Sequence, residues 1–450
     1  MKTLTKWLMF HMPHIRKNAA LPPFKTIDRS KLTPNGGLVF LEALCRRLNL
    51  WDQVNQEEFP RVPHQTLGIR QNEAVIAQIL FSIARGGSTL AEAAMLQHDP
   101  LLLRMVGLKQ AADERTLNEW LMTQTESSVK ALRRLNAKQV AVMIQDSQVV
   151  GTGNNHRPQT NGELDVAVRE KRWAISEVSS SARDRLNSNQ LCWRTLSVGP
   201  FLCDGLWSVE PNVGTKCAQT KEFLESHRGI WSDRKPYFSC GEIPNGLPWQ
   251  DLANVSGFGL WTAEVDEYTV RDNCNFDMHA KTNKWVLAKS RDSLFEKFCT
   301  AFPKASSVEK VPGVALIARR GLNAHGIAED RFLLAPSGTR LSPESLFARH
   351  FGIKAVVHQV VEDLNLYWPL SLAGTAREAY YAIASLAFNL LTALKLLLAG
   401  RDWTVREVIS GIIATPARLS SSHNRDTAIY FGTTPDWPAD WGELIKPHIS

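Results

Sequence analysis

Val140–Val150, VAVMIQDSQVV, is the stretch whose reading decides the fold. A short apolar run closed by polar residues predicts a buried β-strand. Its one acid, Asp146, comes near the end, where a strand would bring a carboxylate to the lip of a sheet. The chain changes texture on either side of it.

On the amino-terminal side the apolar spacing is helical. Leu38–Leu50 puts Leu38, Leu41, Leu44, Cys45 and Leu48 on one face, after the turn cluster Thr33-Pro34-Asn35-Gly36-Gly37. Further helices are predicted over Asn72–Ala84, Leu90–Gln97, Leu101–Val106 and Thr116–Leu135. Gly86-Gly87 and Asp99-Pro100 are the breaks, and Ser88 or Thr89 is a candidate cap.

On the carboxy-terminal side, 151–162 reads as a polar loop, and 163–190 mixes charge without a clear period. Leu191–Val209 reads as hairpin strands split at Gly199-Pro200 and turned at Asp204-Gly205. Gln219–Ser226 reads as a short helix. Pro236–Cys240, Phe258–Val270, Trp285–Ala288, Val314–Ala318 and Arg331–Leu334 are strand candidates. A helix is expected to begin at Ser342-Pro343-Glu344 and run through Asp363, and a long apolar helix covers Arg377–Leu398. Asn389 and Lys395 mark that last helix as core rather than membrane span. The tail, 401–450, is rich in Trp and Pro, and no element is assigned to it.

The bulk numbers describe an ordinary soluble chain: 450 residues, 44% hydrophobic, 22% charged, net charge +7. The charge is uneven. Lys2, Lys6, Arg16, Lys17, Lys25, Arg29 and Lys31 stand against the single acid Asp28 in residues 1–35, a net +6. Such an arm is either a solvated tail or a phosphate-contacting segment with salt-dependent binding. Arg133, Arg134 and Lys138 could likewise touch phosphate, or lie on a solvated helix face. The seven cysteines form no C-x-x-C pair, which reads as reduced thiols and no zinc site. The opening MKTLTKWLMFHMPHIRKN is too broken for a signal peptide or a membrane span. Trp207, Trp231, Trp249 and Trp261 read as packing residues rather than base-stacking platforms.

Several motifs, in order, resemble one family. Leu32-Thr33-Pro34-Asn35-Gly36-Gly37-Leu38-Val39-Phe40-Leu41, Leu90-Ala91-Glu92-Ala93, Leu96-Gln97-His98-Asp99-Pro100 and Arg115-Thr116-Leu117 are similar to stretches of bacterial insertion-sequence DDE transposases. The resemblance covers roughly residues 30 to 400. It implies a mixed α/β (α+β) chain: a basic arm (1–35), a helical DNA-binding region (36–138), the first part of a ribonuclease H-like core (139–245), a β-rich insertion (246–340), the core's C-terminal helices (341–400) and a tail (401–450).

Such enzymes hold two Mg²⁺ ions, about 4 Å apart, on three carboxylates. Hard oxygen ligands suit Mg²⁺, so Asp and Glu are required. The resemblance puts the first acid at Asp146, the only one retained and hence the only metal ligand. It puts the second at Ser239 in Ser239-Cys240-Gly241-Glu242. The third acid's helix signature, Tyr-x2-Arg-x3-Glu-x6-Lys, reads Phe347, His350, Lys354 and Val361 here. Lys354 thus stands where a carboxylate is needed, and His350 could still carry positive charge toward DNA. Glu362 is eight residues on, about 12 Å along a helix, too far to substitute.

The expectation is a DNA-binding protein of the transposase class with a degenerate site, acting in the bacterial cytoplasm at the nucleoid. Its partners would be duplex DNA at insertion-element ends and a second copy on DNA, with no membrane. Mg²⁺ would enter only if the site were active. The alternatives are an active transposase with displaced acids (Glu242 or Asp233, with Glu344 or Glu362), a decayed copy, and an interaction module that does not bind nucleic acid.

Overall fold

The computed structural model describes residues 32–60, 71–145, 163–174, 190–209, 213–231, 235–241, 260–265, 270, 284–287, 297–301, 314–322, 328–352, 356–367, 369, 372, 374–398, 403–421 and 427–431. Strand β1 (Leu32–Thr33) leads into helices α1 (Leu38–Arg47), α2 (Leu50–Gln56), α3 (Gln71–Ala84), α4 (Leu90–Ala94), α5 (Pro100–Met105), α6 (Glu114–Met122) and α7 (Glu126–Gln145). Thr89 and Glu92 form a capping box on α4, and Asp113 caps α6 by accepting from Thr116 N at 2.8 Å.

The helix expected over Thr116–Leu135 is two helices. Thr125 and Ser128 bond reciprocally, Thr125 N to Ser128 Oγ at 2.8 Å and Ser128 N to Thr125 Oγ1 at 3.3 Å, which starts α7 anew. The strand expected over Val140–Val150 is corrected: Val140–Gln145 is the last part of α7. Leu132, Leu135, Asn136, Gln139, Val140, Met143 and Ile144 are buried at helical spacing. A five-residue apolar run fits a buried helix end as well as a strand, and α7's preceding turns propagate through it.

The strands follow: β2 (Glu163–Ala174), β3 (Gln190–Val198) and β4 (Phe201–Val209), then α8 (Val213–His227), a 3₁₀ turn (Arg228–Ile230) and β5 (Lys235–Cys240). Next come β6 (Leu260–Val265), β7 (Val286–Leu287), β8 (Lys297–Ala301), β9 (Val314–Leu322) and β10 (Ala328–Pro336). They form one nine-stranded sheet in the order β4-β3-β2-β5-β6-β10-β9-β8-β7. β2, β3 and β4 are an antiparallel meander; β5 runs parallel to β2, and β6 parallel to β5. β10 closes onto β6 antiparallel, so strands on both sides of the expected boundary at 246 share the sheet.

The hairpin turn at Gly199-Pro200 is as expected, with Gly199 at φ +57. Asp204-Gly205 is no turn. It lies inside β4, beside a register irregularity at Leu196/Ser197. A Cβ on Gly205 would meet the Trp193 indole, so glycine here makes room for a ring.

The last elements are α9 (Pro343–Gly352), α10 (Val356–Asp363), α11 (Gly374–Leu398), α12 (Val405–Val408) with a π turn (Ile409–Ile413), β11 (Ala417–Ser421) and β12 (Thr427–Phe431). Within the span expected as one helix from Ser342 through Asp363, the described helical parts are α9 and α10. β1, β11 and β12 form a second sheet, so Leu32–Thr33 pairs with the tail. The glycines after Pro34 serve that closure: Gly36 N donates to Thr415 O at 2.7 Å, and a Cβ on Gly37 would strike the Ile412 carbonyl.

The fold is mixed α/β with helices at both ends, as expected. Helix α11 is long and apolar enough to span a membrane, but it is mostly buried and packs on α1, α3, α6, α7 and β4. One hydrophobic cluster runs from Leu38 to Ile413. Trp173, Trp193 and Trp207 stack under Tyr381, and Trp231 and Trp261 are buried, so these tryptophans pack the core. Trp249 lies outside the described residues.

Asn389 is one of the buried polar residues of α11, with Arg377, Ser385 and Thr392. Its Oδ1 accepts from Leu202 N at 2.8 Å, and its Nδ2 donates to Leu202 O at 2.7 Å and Asn136 Oδ1 at 2.9 Å. Asn136 in turn donates to Leu202 O and Cys203 O. Replacing Asn389 by Leu orphans several buried groups. Asn389→Leu is expected to lower unfolding free energy by roughly 2 kcal/mol or more, measured by urea denaturation. An unchanged midpoint would show that the clamp is dispensable.

Candidate functional site

Ser239, the residue at the expected second-acid position, lies in β5 between β2 and β6. Register pairs it with Ala167 on one side and Thr262 on the other. Helix α9 covers this part of the sheet. Ser342 caps it, with Ser345 N donating to Ser342 Oγ at 3.1 Å, and Pro343 occupies its first turn. Leu346 and Phe347 bury against Ile317, Leu333 and Ala335. The 3.6-residue period then turns His350, three and four positions on, down onto Ser239.

A buried polar cluster results. Arg169, from β2, donates through Nη2 to Ser239 Oγ at 2.6 Å and to His350 O at 3.3 Å, and through Nη1 to Ser239 O at 2.9 Å and Val168 O at 3.0 Å. His350 Nδ1 lies 3.0 Å from Ser239 Oγ and 2.7 Å from Thr262 Oγ1. His350 Nε2 lies 2.9 Å from Glu264 Oε1. Thr262 also contacts the Tyr237 hydroxyl. At the rim Arg349 pairs with Asp165 at 2.9 Å and covers the Tyr237 ring at 4.1 Å.

These contacts define one protonation pattern. Burial pushes the His350 imidazole below its ordinary value; Glu264 opposes this and the Arg169 charge adds to it. Burial would raise the Glu264 carboxyl, but the hydrogen bond from His350 and the charges of Arg169 and Arg331 hold it below the usual range. Burial also presses Arg169 downward, yet a guanidinium stays charged at any ordinary pH. The neutral imidazole therefore donates from Nε2 to the Glu264 carboxylate and accepts at Nδ1 from the hydroxyls. Tyr237 is pushed up to about 12, mainly by burial, and stays a phenol.

Ser239, His350 and Glu264 carry the three groups of a serine–histidine–acid triad. The arrangement does not make Ser239 a nucleophile. Ser239 is fully buried in mid-sheet, and its Oγ is already bound by Arg169. Activity probes of the fluorophosphonate type are therefore expected to leave the native protein unlabelled at Ser239, as read by peptide mass spectrometry. Labelling lost in Ser239→Ala would reverse this reading.

The cluster does not suit a pair of Mg²⁺ ions. Among the described residues the carboxylate of the cluster is Glu264, which is held by His350, and the Arg169 guanidinium donates to Ser239. Among the described residues no group of three or more His, Cys, Asp or Glu could hold a metal ion.

The other expected site residues are distributed as follows. Asp146, Lys354, Glu242, Asp233 and the arm residues Lys2, Lys6, Arg16, Lys17, Lys25, Arg29 and Lys31 lie outside the described residues. Glu344 sits in the first turn of α9 and Glu362 near the end of α10. The phosphate roles expected of His350 and Arg133 are corrected. His350 is fully buried, and Arg133 forks onto Asp204 at 2.6 and 2.8 Å. Arg134 is exposed and reaches Glu57 at 3.1 Å.

Arg169, Thr262 and Glu264 were not singled out in the sequence. The available signal was the alternation in β2, with apolar Leu164, Val166 and Val168 against Asp165, Arg169 and Lys171.

No family model matches the chain, and the search of curated proteins finds no match.

His350 gives the cluster a pH signature. Its folded value is lowered, so the unfolded chain binds more protons once pH falls below the ordinary 6.5. The stability His350 contributes is present above that value and is lost as pH falls below it; Glu264 adds a second loss as pH falls through the carboxylate range. Between about pH 7.5 and about pH 5.5, the wild-type urea midpoint should fall further than that of His350→Gln. Parallel falls would exclude His350 as the titrating group.

Proposed function

We propose that this chain is a DNA-binding protein of the insertion-sequence DDE transposase class whose core no longer performs metal-dependent strand transfer. The sheet supports the core assignment. An antiparallel meander followed by two parallel strands, in the order third-second-first-fourth-fifth, is the arrangement that the ribonuclease H resemblance implies. Helices at both ends and extra strands between β6 and α9 agree with the motif order in the sequence.

The observation that carries the loss of chemistry is the Arg169–Ser239 contact at 2.6 Å. Ser239 stands where the resemblance requires the second carboxylate, and the adjoining strand supplies a cation instead of an acid. Two-metal catalysis needs concentrated negative charge to assemble cations around a phosphate. A buried guanidinium beside that position repels both ions. Neutral His350 completes a network whose donors and acceptors pair with one another. The reading therefore requires no Mg²⁺ and gives the fold a binding role, at element ends and in dimeric form, in the bacterial cytoplasm.

The test is a nicking assay in Mg²⁺ or Mn²⁺ on duplex DNA bearing insertion-element ends, with gel shift in parallel, for wild type and Asp146→Ala. Retarded DNA without nicks, unaffected by the substitution, is the expected result. Nicking that disappears in Asp146→Ala would mean an active site assembled from displaced acids. Absence of any shift at low salt would favour an interaction module that does not bind nucleic acid.

A further inference from the structure

Away from the Ser239 cluster, a groove of about 480 Å³ runs between α7 and the junction of α8 with its 3₁₀ turn. One wall is the outer face of α7, where Lys130, Arg134 and Lys138 recur every fourth residue. They therefore lie in a row roughly 12 Å long, one cation per turn or so. All three are exposed. The floor is small: Ala137 and Ala141 from α7 and Gly229 from the turn. His227 and Ser226 stand on the far side.

The charge of this groove is not cancelled internally. Arg133 and Asp204 neutralise each other in a close ion pair, with His227 Nε2 3.3 Å from the same carboxylate. Glu222 lies 3.3 Å from Arg133. Glu57 reaches Arg134 at 3.1 Å and Lys138 at 3.7 Å, one carboxylate shared by two cations. Among the described residues no carboxylate pairs with Lys130. With Arg133 and Asp204 set against each other, three cations face two acids, Glu57 and Glu222, along an open channel, and the groove keeps a net positive charge. The Arg133–Asp204 pair ties α7 to β4 beneath it, so the row is held by a rigid base.

We propose that this groove takes the sugar–phosphate backbone of a nucleic acid, with Lys130, Arg134 and Lys138 on successive phosphates. Regularly spaced cations match a regularly spaced polyanion, and the alanine and glycine floor lets a backbone approach α7 closely. The assignment rests on the nucleic-acid reading above and names the surface that performs it. Among the described residues its lining comes from α7, β4, α8 and the 3₁₀ turn.

Fluorescence anisotropy with a labelled 20-base-pair duplex, on the full chain from 50 to 200 mM salt, tests it. The variants are Lys130→Glu with Lys138→Glu, Lys130→Gln with Lys138→Gln, and the arm pair Lys17→Gln with Arg29→Gln. Circular dichroism checks the fold; the glutamine pair remains informative if the glutamate pair unfolds beside Glu57. The groove pairs should bind at least about tenfold more weakly, with a log–log salt slope smaller by about 2, one for each lost phosphate contact.

Wild-type affinity and slope in both groove pairs, with the duplex still bound, would overturn the groove and leave the proposed class intact. No duplex binding by wild type at 50 mM salt would overturn both. Polyglutamate displacing the duplex as well as unlabelled DNA does, at equal charge, would overturn the nucleic-acid assignment in favour of an acidic polypeptide.

Discussion

The guanidinium of Arg169 is the interaction on which this part of the fold depends. It binds the backbone of β2 and β5, the Ser239 hydroxyl and the last turn of α9. A buried charge is tolerated only when its donors are engaged and a counter-charge is near. The backbone carbonyls do the first, and Glu264 does the second through His350. Replacing Arg169 by an apolar side chain would leave carbonyls and a hydroxyl unpaired; replacing it by an acid would set a second carboxylate facing Glu264. The surrounding residues thus favour a cation there.

The sheet is reinforced from its other end by α11. Asn389 reads both the N–H and the C=O of Leu202 at the start of β4, while Asn136 donates to the carbonyls of Leu202 and Cys203. Tyr381 donates to Leu366 O and packs on the indoles of Trp193 and Trp207. The amino-terminal helices, the meander and the carboxy-terminal helix consequently share one core. Residues far apart in the chain supply each half of these contacts, so no short segment carries the fold alone.

Elements with strong local signals were legible in the sequence. Leu38, Leu41 and Leu44 announce α1; Gly199-Pro200 announces the hairpin; the apolar run from Leu386 announces α11. The Val140–Ile144 run misled because five consecutive apolar residues carry no period that separates helix from strand, and Val142 in fact lies on the exposed side of α7. Asp204-Gly205 misled because a glycine that makes room for an indole looks like a turn glycine. Ser239 and His350 were both picked out as altered positions, but their meeting was not visible, since 111 residues separate them.

The sequence by itself determined the helical first region and most strands of the sheet, because residue type and local spacing carry that information. Only the tertiary structure decided what fills the space beside Ser239. Arg169 arrives from a strand hydrogen-bonded to β5, Thr262 and Glu264 from the strand on its other side, and His350 from a helix laid across all three. Such a cluster is set by strand register and helix docking, which depend on long-range packing that no local pattern encodes.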